Sequence, residues 1–337
     1  MMRHAVFLFL SSTAILACPA FGLAADDQPP PGLGDPGKLV SIAIETGRTQ
    51  DGLFLLSGRD SSQQLVVTGG FDSGQQRDLT REVTYTVTPA GMVSVDAAGY
   101  VISLAEGEAT IQAAAAPGID ATVRVRVTNI AQDLPINFPN RITPLFTKYG
   151  CNGGGCHGKS GGQNGFALSL LGFEPAEDYE YLVKEARGRR LFPSAPEQSL
   201  LLVKATAQVP HGGGQRLTTD SPSYRLLVRW MQQGMPYGVP DAPHVTHIEV
   251  FPKERLMQRE GSQQLVVVAH YSDGASEDVT RTTTFDSNDK EMAEASSTGL
   301  ITTSKLTGSV AVMARYQGQV AVFRATIPLG VPVDNLP

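Results

Sequence analysis

Ser62-Gln63-Gln64-Leu65-Val66-Val67 recurs as Ser262-Gln263-Gln264-Leu265-Val266-Val267, at an offset of 200 residues. Matches at the same offset pair Phe71, Gly74, Asp78, Thr80, Arg81 and Gly99 with Tyr271, Gly274, Asp278, Thr280, Arg281 and Gly299. Such self-similarity indicates a duplicated module. In both copies short runs of β-branched residues alternate with polar ones and end at turn signals, which is typical of a β-sandwich. The sequence therefore predicts two sandwiches that flank a central segment.

The two copies resemble the group 2 bacterial immunoglobulin-like domain, through motifs that include Tyr271-Ser272-Asp273-Gly274, Asp278-Val279-Thr280 and Ser297-Thr298-Gly299-Leu300-Ile301. We assign the two modules to residues 38–130 and 245–329. The resemblance implies display or spacing at a cell surface, with contacts to cell-surface or polysaccharide partners. A sandwich hosts many roles, so this implication says little about function.

The central segment contains Cys151-Asn152-Gly153-Gly154-Gly155-Cys156-His157, which is typical of a covalent haem attachment site. Cys151 and Cys156 would form thioether bonds to the haem vinyl groups, and His157 would bind the iron as its proximal ligand. Four residues separate the cysteines where the common motif has two, and three glycines free to adopt positive φ would allow the longer loop. Two alternatives remain: a Cys151–Cys156 disulfide, or a metal site that lacks a local fourth ligand.

Around this motif the hydrophobic period changes from strand to helix. Asn140 is predicted to cap a helix over residues 141–149, and Ser221 to cap one over residues 222–233 with Gly234 as its stop. Residues 176–186 and 196–206 are also predicted to be helical, because Pro175 and Pro196 stand at their starts. The predicted fold class is multidomain, with two all-β immunoglobulin-like sandwiches flanking a small, mainly α-helical cytochrome c-like domain over residues 136–238.

Residues 140–238 resemble the planctomycete cytochrome c domain. The matching stretches are residues 151–159, Gly162-Gln163-Asn164-Gly165-Phe166, Leu168-Ser169-Leu170-Leu171-Gly172-Phe173, Gly188-Arg189-Arg190, Ser199-Leu200-Leu201-Leu202-Val203-Lys204, His211-Gly212-Gly213-Gly214 and Tyr224 with Trp230. The resemblance implies one covalent haem c and an unidentified redox partner. Family members commonly carry two further domains downstream, and relative to them this chain looks shortened.

The second axial ligand is predicted to be His211, in a glycine-rich loop before the last helix, because imidazole binds iron readily. Met235 is the alternative distal ligand, and an open or water-bound position is another. His244, His247 and His270 are expected to be ordinary strand or surface residues. Trp230 would pack against the haem edge or the helical core, and Arg187, Arg189 and Arg190 would pair with haem propionates or lie in solvent.

Residues 1–25 are typical of a secretory signal, followed by a flexible leader over residues 26–37, and residues 330–337 read as a linker-like tail. Export places the protein in the periplasm or at the cell surface, with lipidation at Cys18 as a less favoured variant. No stretch after the signal is long and apolar enough to cross a membrane.

The formal net charge is −6, and no run of basic residues marks a nucleic-acid interface. No nucleophile–histidine–acid pattern indicates a hydrolase. The sequence therefore predicts an exported haem-c protein that carries single electrons, more an electron carrier than a catalyst. The alternative is a non-enzymatic structural or adhesive surface protein with a disulfide-bonded central loop.

Overall fold

The structure, a computed structural model, describes residues 31–330. The predicted signal peptide, the start of the predicted leader and residues 331–337 of the predicted tail lie outside the described residues. Within the leader, Gly32 and Leu33 lie against the second sandwich, where the Leu33 amide donates to Gln258 Oε1 at 3.0 Å. No helix of the described chain is long and apolar enough to span a membrane.

The first module consists of ten strands. They are β1 (Leu39–Glu45), β2 (Leu53–Ser57), β3 (Ser62–Gln64), β4 (Val66–Phe71), β5 (Gln76–Asp78), β6 (Thr84–Thr88), β7 (Val93–Val95), β8 (Tyr100–Ser103), β9 (Gly107–Ala116) and β10 (Ile119–Thr128). These strands form three sheets, in the orders β1-β4-β5, β2-β10-β9-β6 and β3-β8-β7. Only β2 and β10 pair in parallel within the module; its other paired strands are antiparallel.

The second module repeats this arrangement strand for strand. Its strands are β11 (Val245–Phe251), β12 (Glu254–Leu256), β13 (Ser262–Gln264), β14 (Val266–Tyr271), β15 (Ser276–Asp278), β16 (Thr284–Ser287), β17 (Ala293–Ala295), β18 (Leu300–Thr303), β19 (Gly308–Tyr316) and β20 (Gln319–Ile327). The sheet orders are β11-β14-β15, β12-β20-β19-β16 and β13-β18-β17, which match the first module when each strand number is raised by ten. The predicted duplication is confirmed.

Strand alternation explains how each module builds its core. In β10 the side chains of Val123, Val125 and Val127 are buried, whereas the intervening Arg124 and Arg126 are exposed. Successive side chains of a strand point to opposite faces, so a two-residue period buries one face against the neighbouring sheet. The second module has an equivalent core around the fully buried Phe323 and Ala325 of β20.

The repeated Ser-Gln-Gln-Leu-Val-Val stretch lies where the two sandwiches meet. The Gln264 backbone amide donates to Asp78 Oδ2 at 2.5 Å, and the Gln64 amide makes the corresponding bond to Asp278. Two arginines form a second reciprocal pair of hydrogen bonds between the modules. Arg81 donates to Gln264 Oε1 and Arg281 donates to Gln64 Oε1, each at 2.9 Å. Equivalent residues of the two modules thus exchange equivalent contacts, as in a two-fold symmetric interface within one chain.

Apolar side chains fill the middle of this interface. Val66, Val266 and Val268 are fully buried there, and Phe251 packs against them. A desolvated apolar centre with hydrogen-bonded arginines around it is the arrangement of a stable protein interface. The two sandwiches therefore form one body in which each covers a face of the other.

The central segment consists of short helices joined by irregular chain. The α-helices are α1 (Thr143–Lys148), α2 (Pro175–Tyr179), α3 (Leu200–Ala205) and α4 (Pro222–Gln232), of 6, 5, 6 and 11 residues. Single π-turns occupy Phe138–Ile142 and Glu180–Lys184, and 3₁₀ turns occupy Leu170–Gly172, Glu185–Gly188, Pro196–Gln198 and, in the second sandwich, Thr280–Thr282. Ser221 caps α4 as predicted, whereas the first cap is supplied by Asn137 and not by Asn140.

The predicted fold class is wrong, because residues 31–330 contain no distinct α-helical cytochrome domain. The described residues are 37% strand and 17% helix, and they are mostly sandwich-like sheets. The predicted helix over residues 176–186 forms as α2 and the π-turn that continues it, and it ends at Lys184, before Ala186 and Arg187 adopt positive φ. Left-handed residues of this kind cannot continue a right-handed helix. The first predicted helix forms as a π-turn followed by α1 over residues 138–148, and α4 is the longest α-helix of the described residues.

The central segment is also tied to both sandwiches. Arg229 of α4 donates to Asp60 of the first module at 3.1 Å, and Arg141 forms an ion pair with Glu277 of the second. The Tyr316 hydroxyl donates to the Asn140 carbonyl at 3.1 Å. The segment's hydrophobic core, with the fully buried Trp230 and Phe138 in contact, therefore lies between two attachments to the β-modules.

Candidate functional site

The loop of Cys151–His157 begins where α1 ends. Gly150 follows α1 with φ of +70°, and the Cys151 amide donates to the Phe146 carbonyl at 2.7 Å, which closes the helix end. The loop then folds on itself, since the His157 amide donates to the Cys151 carbonyl at 2.9 Å. Both cysteines and the histidine are thereby held within one short, hydrogen-bonded turn.

The glycines of this loop do not have the role that the sequence suggested. Gly153, Gly154 and Gly155 all have negative φ, so the prediction that the loop needs positive φ at these positions is wrong. The Gly153 carbonyl instead accepts hydrogen bonds from the Cys156 and Gly158 amides, at 2.9 and 3.0 Å. Gly158 is required for another reason, because a Cβ there would lie 2.2 Å from the Asn152 carbonyl oxygen.

His157 is oriented by a backbone carbonyl. Its Nδ1 lies 3.0 Å from the Phe166 carbonyl oxygen, and its ring packs against the Phe166 ring at 4.7 Å between centroids. A carbonyl can only accept, so Nδ1 carries the proton and donates, and Nε2 keeps its lone pair. Burial lowers the pKa of His157, and the nearby His211 and Arg190 lower it further, against the opposing effect of the Phe166 hydrogen bond. The neutral, ligand-competent form is therefore favoured.

His211 has the same arrangement in a different loop. Its Nδ1 donates to the Gly214 carbonyl at 2.8 Å, within a turn closed by the Gly214 amide on the His211 carbonyl. Nε2 is again the nitrogen with the free lone pair. A Cβ on Gly213 would lie 3.0 Å from Cε1 and 3.3 Å from Nε2 of this ring, so glycine at position 213 leaves the approach to Nε2 clear.

The two imidazoles face each other across a gap. Their ring centroids are 6.5 Å apart and their planes differ by 8°. Nδ1 hydrogen bonds to backbone carbonyls are the outer contacts that metal-binding histidines usually make. The structure thus brings the two predicted axial ligands together.

The two thiols are free, so the predicted disulfide alternative is wrong for the structure described. Burial raises the pKa of the Cys151 thiol to about 11, and the neighbouring Cys156 adds to the rise while Arg216 opposes it. Cys151 is therefore a protonated thiol at neutral pH. Both side chains are partly accessible and available for covalent attachment.

The remaining predicted site residues belong to the packing of the segment. Met235, the alternative distal ligand, packs against the hydrophobic core, and its carbonyl accepts from the Tyr179 hydroxyl at 2.7 Å. Trp230 is fully buried and donates from Nε1 to the Pro236 carbonyl at 2.9 Å. Arg190 is 4% exposed and donates to the Tyr181 carbonyl at 2.7 Å, with its guanidinium 4.6 Å from the Phe166 ring. The Arg190 side chain packs against the loop that orients His157.

Sequence reasoning missed the residues that orient the site. The carbonyls of Phe166 and Gly214 position the two imidazoles, and every residue has such a carbonyl, so no sequence signal distinguishes these two. Asn152 was visible within the motif but received no role. It is fully buried, and its Nδ2 donates to Thr147 Oγ1 at 2.9 Å, which anchors the loop to α1.

Fold and site together define a protein of two paired β-sandwich modules with a central thiol–imidazole loop. No family model matches the chain, and no curated protein matches it. The resemblance to the planctomycete cytochrome c domain therefore stays a prediction.

Solved structures that align with the chain include an S-layer protein and an integrin-binding protein. Domains 5–6 of the S-layer protein SbsC align with a TM-score of 0.30 at 13% identity, covering 86% of this chain and 98% of that one. A longer SbsC structure aligns with a TM-score of 0.23 at 9% identity, and there the match covers 88% of this chain but 29% of the other. Invasin, a bacterial integrin-binding protein, aligns with a TM-score of 0.18 at 10% identity, covering 87% of this chain and 40% of that one. Similarity at this level does not establish a shared fold or function.

The prediction of a distinct, mainly α-helical cytochrome c-like domain over residues 136–238 is corrected by the fold. The described residues are mostly sandwich-like sheets in two repeated modules, without a distinct α-helical cytochrome domain. Whether the protein binds haem therefore depends on the side chains of the Cys151–His157 loop and on His211.

Proposed function

We propose that the chain is a non-enzymatic protein of the cell surface or periplasm, in which two immunoglobulin-like sandwiches form a rigid frame for the central segment. The observation that carries this proposal is the reciprocal pair of hydrogen bonds, Gln264 to Asp78 and Gln64 to Asp278. Two modules on a flexible linker would expose these groups to water, whereas here Gln64, Gln264 and Asp278 are buried and Asp78 is partly buried. The export-type N-terminus predicted for residues 1–25 supports the location.

Location is tested with the full chain expressed in a bacterial host. Protease added to intact cells, or release of the periplasmic contents, should digest or liberate the protein while a cytosolic marker is unaffected. Recovery of the protein in the cytosol, with its N-terminus uncleaved, would overturn the proposed location.

A second candidate function adds a cofactor to this frame. We infer that the central loop carries one covalent haem c, with Cys151 and Cys156 as thioether attachments and His157 and His211 as axial ligands. The observation that favours it is the near-parallel pair of imidazoles 6.5 Å apart, each with Nδ1 bonded to a carbonyl. Neither sandwich needs such a pair, because both histidines lie outside the modules.

The residues present fit this group. Two free thiols, two imidazoles with available Nε2 atoms and a glycine-lined approach at residues 212–214 are the donor set that bis-histidine haem c requires. When bound, haem supplies an iron that changes between the ferric and ferrous states by one electron. The protein's own contribution is to orient both imidazoles through the hydrogen bonds from Nδ1 to the Phe166 and Gly214 carbonyls. With both axial positions taken by histidine, the site would favour electron passage between unidentified partners over ligand activation.

Haem attachment is tested by staining a denaturing gel for haem peroxidase activity after export from a host with haem-attachment machinery. The wild-type band should stain, and Cys151→Ala/Cys156→Ala should not. His211→Ala should keep the stain but bind carbon monoxide, whereas the matched His244→Ala control should not bind it. An unstained wild type, when a control protein with the same cysteine spacing matures, would overturn the haem proposal and leave the proposed frame intact.

A further inference from the structure

The second sandwich carries a cluster of three ligating side chains away from the central loop. His247 of β11 pairs with His270 of β14 across the antiparallel ladder. Glu249 lies two residues beyond His247, and therefore on the same face of the sheet. One ligand atom from each of the three residues lies within 4.8 Å of the other two.

We propose that His247, Glu249 and His270 bind a divalent transition-metal ion of the zinc class. Two imidazoles and one carboxylate are the ligands that zinc accepts, and imidazole selects such ions over calcium and magnesium. Three protein ligands leave one position of a tetrahedral ion for water. The inference does not depend on haem, because none of these residues belongs to the central segment.

The cluster leaves one buried nitrogen for an ion, and the two stacked rings must turn relative to each other before both in-plane lone pairs reach that ion. The imidazoles of His247 and His270 are stacked, with centroids 4.3 Å apart and planes within 4°. Glu249 Oε2 lies 3.2 Å from His270 Nε2, yet this buried nitrogen makes no hydrogen bond of acceptable geometry. A buried nitrogen without a partner is costly, and a bound cation would satisfy it together with the carboxylate. On the other ring, Thr246 Oγ1 lies 3.1 Å from His247 Nδ1 and orients it.

The first sandwich supplies an internal comparison. Its strands β1 and β4 pair with the same register and the same irregularity as β11 and β14. Ser41 there pairs with Gly70 in place of the two histidines, and Ala43 occupies the position of Glu249. The sandwich therefore folds and pairs without these three side chains. Their presence in one copy alone is not explained by the fold.

The ammonium group of Lys253 would compete with the metal ion for the carboxylate of Glu249. Lys253 donates from Nζ to Glu249 Oε1 at 3.0 Å, and this contact lowers the pKa of Glu249 more than any other. The lysine side chain is 67% exposed, so it can move into water when a cation binds. Removing its charge should strengthen metal binding, because a like charge next to the ion is repulsive.

The test is calorimetric titration of Zn²⁺ alone into the full chain, in a Cys151→Ala/Cys156→Ala background because thiolates also bind zinc. One binding event should be lost in His247→Ala and weakened at least about tenfold in Glu249→Gln, and it should tighten in Lys253→Met. His244→Ala, an exposed histidine outside the cluster, is the matched control and should bind as the parent does.

Melting curves recorded with a chelator separate metal binding from folding. All variants should melt at the parent temperature with chelator, and only chains with the intact cluster should gain stability from Zn²⁺. His247→Ser places at this position the residue that the first sandwich has there, Ser41. It is a second variant without the imidazole, to be used if the alanine variant does not fold. Equal zinc affinity in the parent, His247→Ala and Glu249→Gln would overturn the proposal.

Discussion

The backbone amide of Gln264 donates to the carboxylate of Asp78 in the other sandwich, with 2.5 Å between nitrogen and Oδ2. The equivalent pair, Gln64 and Asp278, repeats the contact in the opposite direction. Each carboxylate also accepts from the amide of the threonine two residues on, Thr80 or Thr280. One aspartate per module thus fixes its own turn and the neighbouring module together.

Removing one of these carboxylates should destabilise the pair of modules. Asp278→Ala leaves the buried amides of Gln64 and Thr280 without acceptors, and we expect the free energy of unfolding to fall by about 1–3 kcal/mol. Urea denaturation at neutral pH measures this. Asp286→Ala, in an exposed position on β16, should change stability by less than about 0.5 kcal/mol. Equal effects of the two substitutions would contradict the assigned role of Asp278.

Lys148 makes the docking of α1 on the second sandwich depend on pH. Its Nζ donates to the carbonyls of Thr283 and Ser297, and burial lowers its pKa from 10.5 to about 8. Between these values the unfolded chain binds more protons than the folded chain, so stability rises with pH across that window. Below pH 8 the penalty for burying the charge is present in full.

The measurement is the difference in free energy of unfolding between the wild type and Lys148→Met, from pH 7 to pH 10.5. Wild-type stability relative to the variant should rise by at most about 1.4 kcal/mol per pH unit above pH 8. Titration of the thiols cancels in this difference. A difference that stays constant with pH would show that the lysine is not buried in solution.

The Cys151 thiol should react slowly with alkylating reagents in the folded protein. Burial raises its pKa to about 11, and the thiolate is the reactive form. At pH 8, iodoacetamide should label Cys151 much faster in urea than under native conditions, as followed by mass spectrometry of the peptides. Native labelling of Cys151 as fast as in urea would show that the loop is open.

The sequence revealed the duplication but not that the two modules pack against each other. Gln63 and Gln64 were visible as a repeated polar pair, yet nothing in a two-residue period shows that another module covers that face. The helix at residues 222–232 was predictable because Ser221, Pro222 and Gly234 mark its ends. The predicted helix at residues 176–186 forms up to Lys184, but its end was not predictable, because apolar spacing does not reveal that Ala186 and Arg187 adopt positive φ.

The two candidate sites also differ in how far the sequence predicts them. His157 and His211 could be named because short motifs surround them, and the structure brings them together. His247 and His270 were assigned to ordinary strand positions, since their proximity depends on the register of β11 against β14. That register becomes known only when the strands are paired. Local motifs are readable from a sequence, whereas clusters assembled by sheet pairing are not.

Two neighbouring glycines provide the sharpest test of the His211 geometry. A Cβ on Gly213 would lie 3.3 Å from His211 Nε2, whereas a Cβ on Gly212 would meet no atom within 4 Å. Neither glycine has positive φ, so alanine costs no backbone strain at either position. Gly213→Ala should therefore displace the imidazole ring, and Gly212→Ala should leave it in place.

In haem-loaded protein, Gly213→Ala should weaken the distal bond and allow carbon monoxide to bind, as His211→Ala does, while the haem stain is retained. Gly212→Ala should keep the wild-type spectrum. In protein without haem, the His211 ring resonances should shift in Gly213→Ala alone. The same carbon monoxide binding in both glycine variants would contradict a distal role for His211, because it would show that the whole loop, and not the ring, controls access to the iron.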